Sequence, residues 1–384
     1  MMRWLGRLDP PDSFGESRDG RLMWALAAFL VLLHLGLAWV GREPGVHVMR
    51  DDARYLILAQ SLSGFEFRDL YRIDAPLHTL YPPGYPLVLM VWGALVGGEF
   101  TRLVTLNVIL SGAGLLLLFA ALVRVVGPGA ALLCLVPVAL NPLVVGRAGS
   151  LRSETLYIFL SLGTLWAPAR RRPSPREGIV GGASAIGAAL VRINGLPLLA
   201  ATGTLWLLRR RWRALAGFVV AAGLTEGVWL VWGFVAQERL FEGTYLRDLV
   251  VVHETATWLP LWKRLVVRVV DLFVRALPAS LSILTIEGTP IDNAISVGIV
   301  CASLGAGLVV FLRRWTIAAL YLLFFALTLI AWPFLRPRFI EPVLPLLIPA
   351  IVLGGAALAG AWKRALRVPA AVVLALAFTA MGAV

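Results

Sequence analysis

The sequence predicts an all-α, polytopic membrane protein with about eleven spanning helices and further interfacial helices in its outer loops. Three observations support this fold class. Apolar residues make up 59% of the 384 residues, and the mean hydropathy is +0.83, well above that of soluble domains. Many of the apolar residues occur in blocks of about 20, the length that crosses a bilayer. The net charge of +13 lies in short runs between these blocks, which is typical of membrane topology and does not indicate nucleic-acid binding.

The apolar blocks define the predicted spans in chain order. These are residues 22–40, 103–123, 129–146, 155–168, 178–191, 196–208, 214–235, 293–312, 316–333, 340–360 and 369–384. The arginines before the first block, and the length of that block, favour an uncleaved first helix with a cytoplasmic N-terminus over a cleaved signal peptide. With no internal repeat or separate soluble domain, residues 1–384 form a single transmembrane domain.

The loop charges agree with this assignment. If the N-terminus is inside, every second connection is basic, as the positive-inside rule requires. The basic residues of these inner loops are Arg124, Arg170, Arg171, Arg172, Arg176, Arg209, Arg210, Arg211, Arg213, Arg313, Arg314, Lys363, Arg364 and Arg367. We therefore expect a multi-pass protein of the plasma (inner) membrane.

Two long outer loops are predicted, 41–102 and 236–292. The first contains the apolar stretch 84–98, which begins beside three prolines. Counting this stretch as a span would place the downstream arginine clusters outside, so we interpret it as an interfacial or re-entrant helix, with a true span as the alternative. In the second loop, residues 261–277 alternate basic and apolar positions at helical spacing. That pattern predicts an amphipathic helix on the membrane surface.

Acidic residues in the outer loops are the first candidates for chemistry. Asp51 and Asp52 lie between Arg50 and Arg54, and adjacent carboxylates usually bind a cation, pair with arginine or share a proton. Glu154 opens the fourth span on the same predicted side. It is either a functional carboxylate or a first-turn residue behind an N-cap serine, where the helix dipole favours negative charge.

Other polar residues of the outer face surround these acids. The arginines there run against the positive-inside rule. Their planar forks suit a phosphate-bearing ligand, with lipid headgroups and salt bridges as the alternative. His47 and His78 either join the acid pair around a divalent metal or are solvated. Tyr81 and Tyr85 suit an aromatic belt or a sugar platform equally well.

Three motifs occur in the order that one enzyme family shows. Asp51-Asp52-Ala53-Arg54-Tyr55 has the form D-[DE]-x-x-Y, and Tyr81-Pro82-Pro83-Gly84-Tyr85-Pro86-Leu87 has the form Y-P-P-x-x-P-L. Ser153-Glu154 supplies a second acidic position. Weaker similarities are Arg192 and the segment Arg336-Pro337-Arg338-Phe339. Together these motifs resemble the membrane-embedded GT-C glycosyltransferases, especially the bacterial relatives of protein O-mannosyltransferases and lipid A aminoarabinose transferases.

The resemblance implies an enzyme that moves a hexose or pentose from a polyprenyl-phosphate donor to an acceptor hydroxyl on the outer face. In-line attack would invert the anomeric centre. Asp51 would be the general base, while Asp52 and Glu154 would position the acceptor, hold a cation or orient the base. The other expected contacts fall into three groups. Donor phosphate would be held by Arg54, Arg192, Arg336 and Arg338, substrate by Tyr55, Tyr81, Tyr85 and His78, and a divalent metal by Asp51 and Glu154.

The expected partners are the lipid donor, a lipid, glycan or protein acceptor, and membrane lipids, with no nucleotide or redox cofactor. Because the chain ends at Val384, without the large external domain of some relatives, the two outer loops would recognise the acceptor. Two other function classes stay open: a lipid or solute transporter or flippase, and a non-catalytic scaffold of envelope biogenesis. Transporters place ionisable residues near the midplane, where Glu226 and His34 are the candidates.

Overall fold

The computed structural model describes residues 18–46, 51–169, 174–236, 261–281, 290–332, 337–362 and 369–374. Helices account for most of this part of the chain, and its only β contact is an isolated bridge between Arg68 and Leu77. The predicted all-α, polytopic fold class is confirmed.

Fourteen α-helices within the described residues carry the labels used below. They are α1 Arg18–Val40, α2 Asp51–Ser63, α3 Gly84–Val96, α4 Phe100–Val126, α5 Pro128–Ala139, α6 Pro142–Ala148, α7 Ser153–Trp166, α8 Pro175–Val191, α9 Leu196–Leu208, α10 Trp212–Val235, α11 Leu261–Val270, α12 Pro290–Arg314, α13 Thr316–Ala331 and α14 Leu344–Trp362. A π-helical turn, Asp271–Ala276, and a short helix, Leu277–Ser280, continue α11.

Five helical segments in the described part are long and apolar enough to cross a bilayer. They are Gly20–Val40, Phe100–Val126, Trp212–Val235, Val297–Arg314 and Glu341–Ala361. The pair α5 and α6, bent by 68°, makes a sixth if it forms one broken span, and three shorter apolar helices include α3. The chain is thus multi-pass, and the number of eleven spans stays a prediction.

Burial divides the helices into a centre and an edge. Helix α14 is mostly buried and packs closely on α12, where Gly307 and Gly354 bring the two backbones together. Helix α10 lies at the edge, and only Phe218 on it is buried. Its C-terminal end nonetheless contacts the first outer loop, since the Trp232 indole donates to the His78 carbonyl at 2.9 Å.

The start of α3 is fixed against the end of α8 by a glycine. A Cβ on Gly84 would lie 2.6 Å from the carbonyl oxygen of Leu190, so no larger residue fits without moving one of the helices. This contact places Tyr81 and Pro82 beside Arg192, at the C-terminal end of α8. Helix α3 has 13 residues and is about 20 Å long, shorter than the ~30 Å core of a bilayer, which agrees with an interfacial helix.

The second outer loop contains the predicted surface helix as α11. The apolar side chains of Trp262, Val266 and Val270 are exposed, whereas Leu272 in the following turn is buried in the core. An exposed apolar face on a basic helix agrees with the predicted position on a membrane surface.

Candidate active site

Distant parts of the chain meet around a cleft of about 100 Å³ at one end of the helix bundle. The contributing segments are the start of α2, the residues before α3, the end of α8 with the turn after it, the end of α13 and residues 337–339. The cleft is lined by Asp51, Tyr55, Tyr81, Pro82, Val191, Arg192, Ile193, Asn194, Thr328, Leu329, Trp332, Arg338 and Phe339.

Asp51 presents its carboxylate to the cleft. It is partly buried in the first turn of α2, where the helix dipole favours a negative charge, and the Tyr81 hydroxyl donates to its Oδ1 at 3.0 Å. Asp52 is only 1% exposed and is not part of the cleft lining. The two carboxylates therefore have different surroundings, because successive residues of a helix point about 100° apart.

A buried network joins the first outer loop to α7 and α8. The Tyr55 hydroxyl and Ser153 Oγ are 2.8 Å apart, and Arg192 Nη1 donates to the same Ser153 Oγ at 2.8 Å. Arg192 Nη1 also lies 2.9 Å from Glu154 Oε1. Burial raises the pKa of Tyr55 well above its usual range, so this phenol stays protonated. The cation that Glu154 holds in this structure is the guanidinium of Arg192.

Ser153 does not cap α7. The N-cap residue is Arg152, whose side chain makes no capping hydrogen bond, and Ser153 is the first residue of the helix. Its hydroxyl is thereby directed to Tyr55 and Arg192 instead of to backbone N–H groups of α7.

The other predicted phosphate-binding arginines are placed differently. Arg338 lines the cleft, with its guanidinium carbon 5.4 Å from the Phe339 ring centre. Arg54 is outside the cleft lining and lies over the rings of Tyr71 and Tyr81, at 5.6 and 5.9 Å. Arg336 lies outside the described residues.

His78 and Tyr85 lie behind the cleft wall. His78 is 3% exposed, its Nδ1 is 2.7 Å from Asp69 Oδ1, and its Nε2 accepts the backbone N–H of Tyr81 at 2.7 Å. Both ring nitrogens are occupied, so the imidazole has no lone pair for a substrate or metal. Tyr85 is fully buried and pairs with Asn107. The sequence suggested His78 and Tyr85 as substrate contacts. Their buried positions favour a role in positioning the cleft wall instead.

The described residues contain no preformed cluster of divalent-metal ligands. No three side chains of the His, Cys, Asp and Glu types come together in this part of the chain. Glu154, one of the two predicted ligands, binds a guanidinium instead. His47 lies outside the described residues. Metal binding by Asp51 and Glu154 stays a prediction.

Sequence reasoning missed several residues that shape the site. Asn107 Nδ2 donates to the carbonyls of Ser150 and Arg152 at 2.6 and 2.9 Å, which fixes the chain entering α7. Arg147 and Glu341 form a bidentate ion pair, with Nη2 2.7 Å from Oε1, between α6 and the turn before α14. Asn107 could have been found from the sequence, because it is a polar amide inside the apolar block 103–123. Polar groups in spanning helices face protein partners and not lipid.

Comparison with known proteins finds similar structures but no similar sequences. The sequence matches no protein-family profile and no curated protein. The structure matches ArnT from Cupriavidus metallidurans in the apo state, at 15% identity and a TM-score of 0.57, over 92% of this chain and 75% of that one. The same enzyme bound to undecaprenyl phosphate matches at 17% identity and a TM-score of 0.58, with equal coverage.

A third match comes from an archaeon. It is the archaeal oligosaccharyltransferase AglB from Archaeoglobus fulgidus, in complex with an inhibitory peptide and a dolichol-phosphate, at 15% identity and a TM-score of 0.51. Both matched proteins share one fold, the GT-C fold. The chain has the GT-C fold. It spans 55% of the length of AglB, with 94% of its own residues aligned, so the GT-C fold extends over nearly the whole chain.

Proposed function

We propose that this protein is a glycosyltransferase that moves a sugar from a polyprenyl-phosphate donor to an acceptor hydroxyl. The observation that carries the proposal is the cleft itself: a carboxylate, Asp51, and two arginines, Arg192 and Arg338, line one cavity in a GT-C fold. One match with that fold binds undecaprenyl phosphate and another binds a dolichol-phosphate. A base and fixed cations are the groups that transfer of a sugar from a phosphate requires.

In the proposed reaction Asp51 is the general base. It takes the proton of the acceptor hydroxyl as the acceptor oxygen bonds to the anomeric carbon of the sugar. The Tyr81 hydroxyl occupies one lone pair of Oδ1 and orients the carboxylate, so the remaining lone pairs face the acceptor.

The bond that breaks joins the anomeric carbon to the phosphate oxygen, and its electron pair stays with the phosphate. Arg192 and Arg338 stabilise the negative charge that grows there. Entry of the acceptor opposite the departing phosphate inverts the anomeric centre, as in inverting glycosidases.

Glu154 acts in this scheme through Arg192. Together with Ser153 it holds the guanidinium at the cleft wall, so the cation needs no rearrangement when charge develops on the phosphate. Asp52, buried and outside the cleft lining, has a positioning role on the same helix turn.

The test uses the purified full chain in lipid nanodiscs with a panel of polyprenyl-phosphate hexoses and pentoses. Acceptors in the panel carry lipid, glycan or peptide hydroxyls, and the readout is free polyprenyl phosphate, which every transfer releases. We expect Asp51→Asn to lower kcat about 10²- to 10⁴-fold, the usual contribution of a general base.

Glu66→Gln is the matched control, because Glu66 is an exposed carboxylate of the same loop that pairs with Arg68 away from the cleft. It should retain full transfer. If Asp51→Asn and Glu66→Gln lowered kcat equally, Asp51 would not be the general base. The folded wild-type protein could instead release no polyprenyl phosphate but carry labelled lipid or solute across the membrane of proteoliposomes. That result would contradict the transferase proposal and favour a transporter.

A further inference from the structure

A second, larger cavity lies at the end of the bundle opposite the cleft. Helices α8, α9 and α10 enclose a groove of about 900 Å³. The mouth of the groove, at Gly178 on α8, is 14 residue steps or about 21 Å along the helix axis from Arg192 in the cleft. The inner end of the groove reaches Ile186, and the groove and the cleft share no lining residue. The groove is therefore separate from the candidate active site. Its size is at the upper end of the ~300–1,000 Å³ typical of small-ligand sites.

The walls of the groove are apolar and are kept apart by glycines. A Cβ on Gly178 or on Gly217 would meet no heavy atom within 4 Å, so each glycine borders open space. Gly182 faces Trp206 across the floor, and Phe218 closes the base as the single buried residue of α10. An apolar channel of this kind accommodates a hydrocarbon chain without leaving any polar wall group unsatisfied.

The mouth of the groove carries an unbalanced positive charge. Arg210, Arg211 and Arg213 belong to its lining, and none of them forms an ion pair among the described residues. The nearby acid, Glu177, is already engaged with the N-cap of α8 and lies 3.9 Å from Arg124.

The neighbouring arginine also lies in surroundings that disfavour its charge. Burial, and then the guanidinium of Arg211, lower the pKa of Arg209, which follows α9 directly. A bound anion would relieve this repulsion. Trp212, at the start of α10, is exposed beside the arginines, as is typical of aromatic side chains at a membrane interface.

We propose that the groove is a binding site for an acidic phospholipid, with the phosphate on Arg210, Arg211 and Arg213 and an acyl chain along Gly178 and Gly217. An apolar slot that opens beside a cluster of arginines matches both parts of such a lipid, and basic pockets between membrane helices bind anionic headgroups in this way. A zwitterionic lipid would fill the slot but would bring no net negative charge to neutralise the arginines at its mouth. The site belongs to the membrane face opposite the cleft and is independent of the proposed transfer reaction.

Lipid binding to the full chain tests the proposal. Delipidated protein in detergent is titrated with phosphatidylglycerol or with phosphatidylcholine of the same acyl chains, and the apparent Tm is measured. A ligand of the native state raises Tm as its concentration exceeds Kd. We expect phosphatidylglycerol to stabilise the wild type and phosphatidylcholine to have little effect.

Two kinds of variant locate the site. Gly178→Leu fills the slot, and Gly223→Leu, at an exposed glycine of α10 outside the groove with no atom within 4 Å of its Cβ, is its control. The double variant Arg210→Gln with Arg213→Gln removes the charge, and Arg313→Gln, exposed in the last turn of α12, is its control. Each arginine near an anionic lipid surface contributes about 1 kcal/mol, so the double variant should bind phosphatidylglycerol roughly ten- to thirty-fold more weakly.

Equal stabilisation by the two lipids, or undiminished phosphatidylglycerol binding in both the glycine and the arginine variants, would overturn the proposal. So would a change in oligomeric mass caused by Gly178→Leu without any change in lipid binding, because the groove would then be a protein interface. If Gly178→Leu fails to fold, the arginine double variant and its control still decide the result. The readout is binding, so the result stands whether or not the chain transfers a sugar.

Discussion

The hydroxyl of Ser153 is a single atom that connects the acidic loop to the arginine at the cleft wall. It contacts the Tyr55 hydroxyl and Arg192 Nη1, both at 2.8 Å, with no exposure to solvent. Ser153→Ala should therefore cost about 1–3 kcal/mol of stability through the unsatisfied partners and should lower transfer by loosening Arg192. Tyr55→Phe acts on Arg192 only through Ser153, so adding it to Ser153→Ala should reduce kcat no further.

A double-mutant cycle on these two residues, read out as kcat and as apparent Tm, measures this coupling. Tyr321→Phe is the control, since Tyr321 loses a comparable buried hydrogen bond, to Tyr157, outside the cleft lining. It should lower Tm and leave kcat unchanged. Additive losses of kcat in the cycle would show that Tyr55 contacts the substrate independently.

At the scale of elements, the packing of α3 on α8 sets the width of the cleft. Gly84→Ala would place a methyl group 2.6 Å from the Leu190 carbonyl, so α3 must move away from α8 and carry Tyr81 with it. Gly93→Ala, on the same helix, meets only the end of the Leu103 side chain at 3.4 Å. We expect Gly84→Ala to lower both apparent Tm and transfer, and Gly93→Ala to retain both. A tolerated Gly84→Ala would mean that the contact does not position the site.

The elements also show where sequence reasoning succeeds and where it stops. Apolar block length predicted the helices of the bundle, because burial in lipid demands satisfied backbone groups whatever the side chains are. Proline content and loop charge predicted an interfacial or re-entrant helix at 84–98, and the 13 residues of α3 agree with it. These are local or averaged properties, which a single sequence displays directly.

Pair contacts between distant residues were not predictable in the same way. The sequence indicated that Asp51 and Glu154 lie at one site, but it did not indicate their partners, which are Tyr81 for Asp51 and Arg192 for Glu154. It also gave His78 as a metal ligand, a substrate contact or a solvated residue, whereas Asp69 and the backbone N–H of Tyr81 engage both ring nitrogens. Which carboxylate meets which cation depends on helix rotation and packing, and hydrophobic periodicity does not specify these.

For the whole molecule, the decisive question is which membrane face carries the cleft. The structure brings the acidic cleft to one end of the bundle, and Arg124, near Glu177, lies with Arg210 and Arg211 toward the other. The positive-inside rule assigns the basic end to the cytoplasm, so the cleft should face outward. The prediction that α3 is interfacial further requires both ends of α3 to lie on the outer side.

Cysteine labelling with a membrane-impermeant maleimide tests this topology in intact cells. In a background with Cys134→Ser and Cys301→Ser, the exposed sites Glu66→Cys and Glu99→Cys flank α3, and Arg213→Cys lies at the basic end. We expect the first two to react in intact cells and the third to react only after permeabilisation. Opposite labelling of positions 66 and 99 would make α3 a true span and invert every later helix. Since inversion would move the Arg209 to Arg213 cluster outside, the acidic-lipid groove would then face the outer leaflet.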